Sequence, residues 1–150
     1  MANYTNEIAH MIERFQTKTL SQDRDGFFKA HLKLDLNLLE VLLLRQVSKS
    51  EARINSLVKQ LEVSRNLVNT TVSRLVKEKI LQKRTDLKDG RCQIISLTPQ
   101  GRRLADELLA QQDAELGFML NDVTVNEERA ILKFLSKYVQ YHTERYELKE

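Results

Sequence analysis

The chain has 150 residues, 41% of them hydrophobic and 30% charged, with a net charge of +3, one Pro and four Gly. That is enough chain to bury a core in one domain, and so few breakers favour long helices over loops. It contains no run of about eighteen apolar residues to span a bilayer. The stretch MANYTNEIAHMIERF lacks the apolar centre of a secretory leader, and the single Cys92 excludes an internal disulfide or a cysteine-built zinc site, so a cytoplasmic protein without a cofactor is expected.

The charge is unevenly spread. Arg53 to Arg103 holds twelve Lys and Arg against four acids, a net +8, while the remainder is −5. A basic centre with acidic flanks is the footprint of a polyanion-binding module, although part of such a set merely solvates helix faces.

In chain order, Ile8, Met11, Ile12 and Phe15 predict a first helix over about Tyr4–Leu20. SQDRDG at Ser21–Gly26 is expected to break it. A second helix is expected to start at an Asp35 cap. Leu38, Leu39, Val41 and Leu42 make it apolar nearly all round, which marks a central buried helix. Two short helices follow. The first spans about Arg53–Leu61, with Ile54, Leu57, Val58 and Leu61 inward, and the junction is Glu62-Val63-Ser64. Ser64 caps the second, about Arg65–Lys79. Its inward side is Leu67, Val68, Thr71, Val72, Leu75 and Val76. The runs LQKRTD and RCQIISL predict two strands around a Leu87–Gly90 turn, with Asp89-Gly90 as the turn dipeptide. Thr98 and Pro99 open a long helix to about Leu120, striped by Leu104, Ala105, Leu108, Leu109, Gln112, Leu116 and Met119. Thr124 and Glu127 form a capping box for a last helix carrying Ile131, Leu132, Leu135, Tyr138, Val139 and His142.

The order α-α-α-α-β-β-α-α predicts a mainly α chain with a small β-hairpin wing, a winged helix-turn-helix. One domain over 1–150 would hold the DNA-binding lobe at 34–100. Helices in 1–33 and 101–150 would pair with a second chain as a homodimer. In a helix-turn-helix, the second helix enters the major groove with its first residues at base edges. The outer face Ser64, Arg65, Asn66, Asn69, Thr70, Ser73, Arg74 and Lys77 suits that task. Asn reads adenine, Arg reads guanine, and Thr meets a thymine methyl. Arg74 and Lys77, a turn or more later, are better placed for phosphates. No acid interrupts this face, whereas an ordinary solvated helix mixes Glu with Lys. On the hairpin, Lys83, Arg84, Lys88 and Arg91 offer cations to a narrow, electronegative minor groove. Asp89 would orient Arg91 through a charge-assisted hydrogen bond.

SLVKQLEVSRNLVNTTVSRLVKEKIL, followed by Asp89-x-Arg91, alternating apolar residues and LTPQG, resembles the multiple-antibiotic-resistance-regulator (MarR) family of winged-helix transcription factors. The motifs cover about Leu34–Gly101. The resemblance implies a dimer on double-stranded DNA, with the Ser64–Lys79 helix in the major groove. Arg91 would reach the minor groove, braced by Asp89, and the terminal helices would interlock. It also implies release by an effector, such as a phenolic small molecule, zinc or cysteine oxidation. This chain has a valine at Val58 where many members have a small residue. It has Lys79 where many have Gly at the helix end, and Glu62 where a Gly or small polar residue is frequent in the turn. A left-handed Lys79 would cost on the order of 1 kcal/mol.

Cys92 reads as a small buried strand residue rather than a sensor thiol. His10, His31 and His142 are too scattered for a strong zinc reading. Phe15, Phe27, Phe28, Leu32 and Leu38 suit either a dimer core or an apolar ligand pocket. No nucleophile–base pair, paired carboxylates or phosphate loop suggests an enzyme. The expected role is that of a repressor, and the alternative is a winged-helix module for protein–protein assembly without sequence-specific DNA binding.

Overall fold

In the computed structural model, which describes residues 3–26 and 35–147, the chain opens with helix α1 (Thr5–Asp25). Phe27, Phe28, His31, Leu32 and Leu34 lie outside the described residues. The SQDRD stretch does not break α1. Its side chains are polar but none forbids helical backbone, so the helix continues to Gly26. There φ reaches 88° and the Gly26 N–H closes on the Gln22 carbonyl, a conformation that glycine adopts without a Cβ penalty. No residue of α1 is buried.

Helix α2 (Leu38–Lys49) is capped by Asn37 rather than Asp35. The Asn37 side chain accepts from the Glu40 N–H at 2.8 Å, and the Glu40 carboxylate accepts from the Asn37 N–H at 2.9 Å. This reciprocal box satisfies two donors that no helical carbonyl can reach. Asp23 of α1 adds an anion at the same helix end, accepting from the Leu38 N–H at 2.6 Å. Val41, Leu43, Leu44 and Val47 are buried, but Leu42 is exposed. The helix therefore buries a wide face, not its whole circumference.

A strand unforeseen in the sequence follows, β1 (Ala52–Arg53). Two residues are too short to show a strand period. Strand β2 (Leu81–Thr85) and strand β3 (Gln93–Leu97) form the wing. The antiparallel sheet has the order β1-β3-β2, with Ala52 opposite Ile95 and Leu81 opposite Leu97. Between β1 and β2 lie α3 (Ile54–Leu61) and α4 (Arg65–Lys77). Ser64 caps α4 by accepting from the Leu67 N–H. The buried stripe of α4 is Val68, Thr71, Val72 and Leu75. Leu67, expected inward, is instead exposed, because it lies off that stripe on the first turn.

The end of α4 is a Schellman turn. Ile80 N–H reaches the Leu75 carbonyl at 2.9 Å, and Lys79 N–H reaches Val76 at 3.0 Å. Lys79 has φ 63° and Glu62 has φ 54°, so both non-glycine residues occupy the left-handed region. Burial of Ile80 and Leu75 supplies the apolar contact that accompanies this motif.

Helix α5 (Pro99–Met119) begins against this turn. The Thr98 hydroxyl accepts from the Gly101 N–H at 2.9 Å and donates to the Lys79 carbonyl at 2.6 Å. A Cβ on Gly101 would stand 2.0 Å from the Ile80 carbonyl oxygen, so only glycine fits. Leu104, Ala105 and Leu108 join the core, whereas Leu116 and Met119, on the same predicted stripe, are exposed. Helix α6 (Val125–Glu147) opens with the expected box. Thr124 N–H meets the Glu127 carboxylate at 2.9 Å, and Glu127 N–H meets the Thr124 hydroxyl at 3.2 Å. The Thr124 N–H first, and the Thr124 hydroxyl with it, hold the Glu127 carboxyl below its ordinary pKa. The chain forms two compact units, Met1–Ala110 and Gln111–Glu150.

Replacing Lys79 by glycine removes the left-handed Cβ penalty without touching the core. Lys79→Gly should raise unfolding free energy by about 1 kcal/mol, read as a higher urea midpoint at unchanged slope.

Candidate nucleic-acid interface

Ser64, Arg65, Asn66, Asn69, Thr70, Ser73, Arg74 and Lys77 are all exposed, on or at the start of α4. The Ser64 oxygen is engaged in the cap, and the Thr70 hydroxyl donates to the Asn66 carbonyl at 2.8 Å. The Arg65 guanidinium donates to the Asn55 side chain of α3, which points it across the helix-turn-helix. Arg65, Asn69, Asn55, Lys83 and Arg91 line one cleft of about 340 Å³ between α4 and the wing.

Arg74 has a structural partner that the sequence did not reveal. It pairs with the Glu40 carboxylate, 1% exposed, and its other nitrogen donates to the Asp35 carbonyl at 3.0 Å. Glu40 thus caps its own helix with one oxygen and neutralises an arginine of α4 with the other. A buried carboxylate needs such pairing, because desolvation alone would disfavour its charge.

The wing has two flanks. Arg91 and Lys83 border the cleft beside α4. Arg84, Lys88 and Leu87 border an outer cleft of about 540 Å³ with Glu51, Arg53 and Asp86. Arg84 donates to Glu51 at 2.5 Å. Arg53 pairs with Asp86, which is 6% exposed and also accepts from the Lys88 N–H at 2.9 Å. That backbone bond first, and the Arg53 charge with it, hold the Asp86 carboxyl below its ordinary pKa against the opposing effect of burial.

The tip itself is closed by Cys92 N–H to the Asp89 carbonyl at 3.0 Å. Asp89 Oδ1 accepts from the Arg91 N–H at 3.1 Å and lies 3.5 Å from the Arg91 Nε. The Arg91 N–H, then the Cys92 thiol 3.4 Å from Oδ2, depress the Asp89 pKa. Gly90 does not take a positive φ. The turn is therefore made by the Asp89 side chain over Asp89–Cys92 rather than by glycine over Leu87–Gly90. Cys92 is half-buried rather than buried. Arg91 leaves the tip with its side chain 94% exposed.

Arg53, Glu40, Glu51 and Asn55 were missed as supporting residues. Their partners lie 10 to 34 positions away, beyond any local pattern. Away from the wing, Phe15, Leu20 and Leu38 line an open, almost wholly apolar groove of about 290 Å³. Among the described residues no group of three His, Cys, Asp or Glu is placed to hold a metal ion, and no helix is long and apolar enough to cross a membrane.

Two outcomes follow from the ion pairs. Arg74→Ala leaves the Glu40 carboxylate buried without its cation and should cost about 2 kcal/mol or more in urea unfolding. Asp86 has a lowered pKa when folded, so its contribution is complete above about pH 4. It fades as pH falls through the folded value. Amide exchange at Lys88 and Cys92 should accelerate relative to the core over that acidic range, and Asp86→Asn should abolish this pH dependence.

No curated protein matches the sequence. Solved structures match by fold at low identity. The chain shares 15% identity with Streptococcus pneumoniae FabT, solved in complex with DNA, at a TM-score of 0.81 over 95% of this chain and 99% of that one. It shares 22% with the Sulfolobus solfataricus transcriptional regulator BldR, at 0.69 over 94% and 99%. It shares 19% with Bordetella bronchiseptica BpsR, whose DNA binding is regulated by 6-hydroxynicotinic acid, at 0.67 over 89% and 98%. These are MarR-type winged-helix folds, as the wing motif led one to expect. The family model for the transcriptional regulators SarA and Rot, a related winged-helix family, matches residues 27–108. With more than half of its length matched, the lobe and wing included, this chain belongs to the SarA/Rot family of transcriptional regulators.

Proposed function

We propose that the protein is a homodimeric, sequence-specific DNA-binding repressor whose α4 reads the major groove while its wing enters the minor groove. The observation that carries this reading is the shared cleft. Arg65 and Asn69 face it from α4, Lys83 and Arg91 from the wing, and no acid stands on the outer face of α4 from Ser64 to Lys77. Asn66, Asn69 and Thr70 on the first turns suit base edges. Lys77 and Lys88 suit phosphates, whereas Arg84 is held by Glu51. Arg74 enters this scheme chiefly as the residue that fixes α4 to α2, and Asp89 as the brace of Arg91. The DNA-bound FabT structure, alike in fold, supports the mode.

The dimer is supported by apolar side chains left uncovered on single helices. Ile8, Met11 and Phe15 are exposed on α1, and Leu132, Leu135 and Val139 on α6. Such a set exceeds the scattered apolar residues of a monomer surface. Two recognition helices would then meet half-sites about 34 Å apart on a pseudo-palindrome. The groove of Phe15, Leu20 and Leu38 suits an apolar small-molecule effector, and BpsR, answering to 6-hydroxynicotinic acid, offers a precedent for such control.

Titrating the protein onto duplex DNA at increasing salt should give two chains per site and log K falling steeply with log salt. Arg91→Ala should make the slope shallower by about one charge. Asn69→Ala should relax base preference by about 1–3 kcal/mol with the slope kept. Binding indifferent to salt would favour protein–protein assembly instead.

A further inference from the structure

We infer that Leu87 is a minor-groove contact of the wing, an apolar side chain that rests against the sugar-lined wall and floor of the groove while the neighbouring cations hold the phosphates. The inference rests on the DNA reading above and adds a residue to it that bears no charge. Leu87 is 97% exposed, the most exposed of the large hydrophobic side chains among the described residues.

Its position is built. Asp86, buried at the foot of the tip, accepts from the Lys88 N–H at 2.9 Å and pairs with Arg53. The Asp86 N–H donates to the Cys92 carbonyl at 2.9 Å. Leu87 sits between two residues whose backbone N–H groups are both tied down, so the turn presents it outward. A leucine free to fold back would gain on the order of 2 kcal/mol by burial. This one is held where nothing in its own unit covers it.

The surroundings select the occupant. Leu87 lies on the outer flank of the wing beside Lys88, where Arg84 is paired with Glu51 and Arg53 with Asp86, whereas Arg91 lies on the flank facing α4. An apolar protein partner would find a single leucine set among charged groups, with Lys88 beside it outside any ion pair, a poor match. A polyanion with an apolar lining matches both. The minor groove has that composition: phosphates along its rims, deoxyribose along its walls. The two flanks then divide the work. Arg91 answers the negative potential of the groove, and Leu87 its apolar wall, so the wing fills the groove rather than touching one rim.

The test uses the full chain and one duplex recovered by selection from a random pool, prepared with A·T, I·C or G·C pairs beneath the wing. Inosine keeps the major-groove edge of guanine and lacks its minor-groove amino group, so α4 is presented with the same edges on I·C and G·C. The native chain should bind the I·C duplex more tightly than the G·C duplex. Leu87→Ser should bind I·C roughly tenfold more weakly and lose most of that preference. The salt slope should not change, because no charge is removed. Leu87→Met should restore both affinity and preference. Native binding with Leu87→Ser unchanged, or weakened equally on I·C and G·C, overturns this inference and leaves the DNA reading standing. Failure of the native chain to bind any duplex overturns both.

Discussion

The Ile80 carbonyl is the point on which the lobe turns. Gly101 approaches it so closely that a Cβ would stand 2.0 Å away. Thr98 N–H reaches the same oxygen at 3.0 Å, and the Thr98 hydroxyl lies 3.2 Å from it. The residue before it, Lys79, is the left-handed step that ends α4, and the residue after it, Leu81, begins the wing. Leu81 also pairs with Leu97, one residue before Thr98. Within four residues of Ile80 α4 ends and β2 begins, and within four residues of Thr98 β3 ends and α5 begins. A left-handed lysine is tolerated here because two backbone bonds and a threonine hydroxyl over-determine its position. The bonds come from Lys79 and Ile80 themselves and from Thr98.

The charge of the lobe looks different once its partners are known. Twelve bases against four acids between Arg53 and Arg103 suggest a broadly positive surface. Yet Glu40 and Glu51, just outside that window, reach in to pair Arg74 and Arg84, and Asp86 takes Arg53. Lys77, Lys83 and Lys88 enter no ion pair among the described residues, and Arg91 extends from its Asp89 brace into solvent. Three arginines have become architecture, so the lobe presents less free positive charge than its count of bases suggests.

What could be read from the sequence was local. Ser64, Thr98 with Pro99, and Thr124 with Glu127 are helix starts because each side chain answers an N–H three residues away. Asp89 bracing Arg91 is equally short-range. The Asn37–Glu40 box obeys the same rule, but Asp35, two residues earlier, is an equally acceptable cap type. What escaped was either too short or too distant. Two residues cannot display a strand period, so β1 was invisible until Ile94 and Ile95 paired with it. The pairs Arg74–Glu40 and Arg53–Asp86 join residues more than thirty positions apart, and nothing in composition links them. Leu67 misled because a helical stripe has an edge, and the first turn of α4 runs past the elements that could cover it.

The bond from the Asp86 N–H to the Cys92 carbonyl closes the hairpin below its tip. Everything from Leu87 to Arg91 lies outside that closure, while β2 and β3 are fixed below it by their register and by the Thr98 junction. The tip is therefore a replaceable cassette. Lengthening it or exchanging its residues changes what the wing presents to solvent and leaves α4 and α5 where they stand. An insertion between Lys79 and Leu81 has no such freedom, since it would displace the one carbonyl that the helix end, the strand and the long helix share. Change can therefore be confined to five residues, without renegotiating the rest of the lobe.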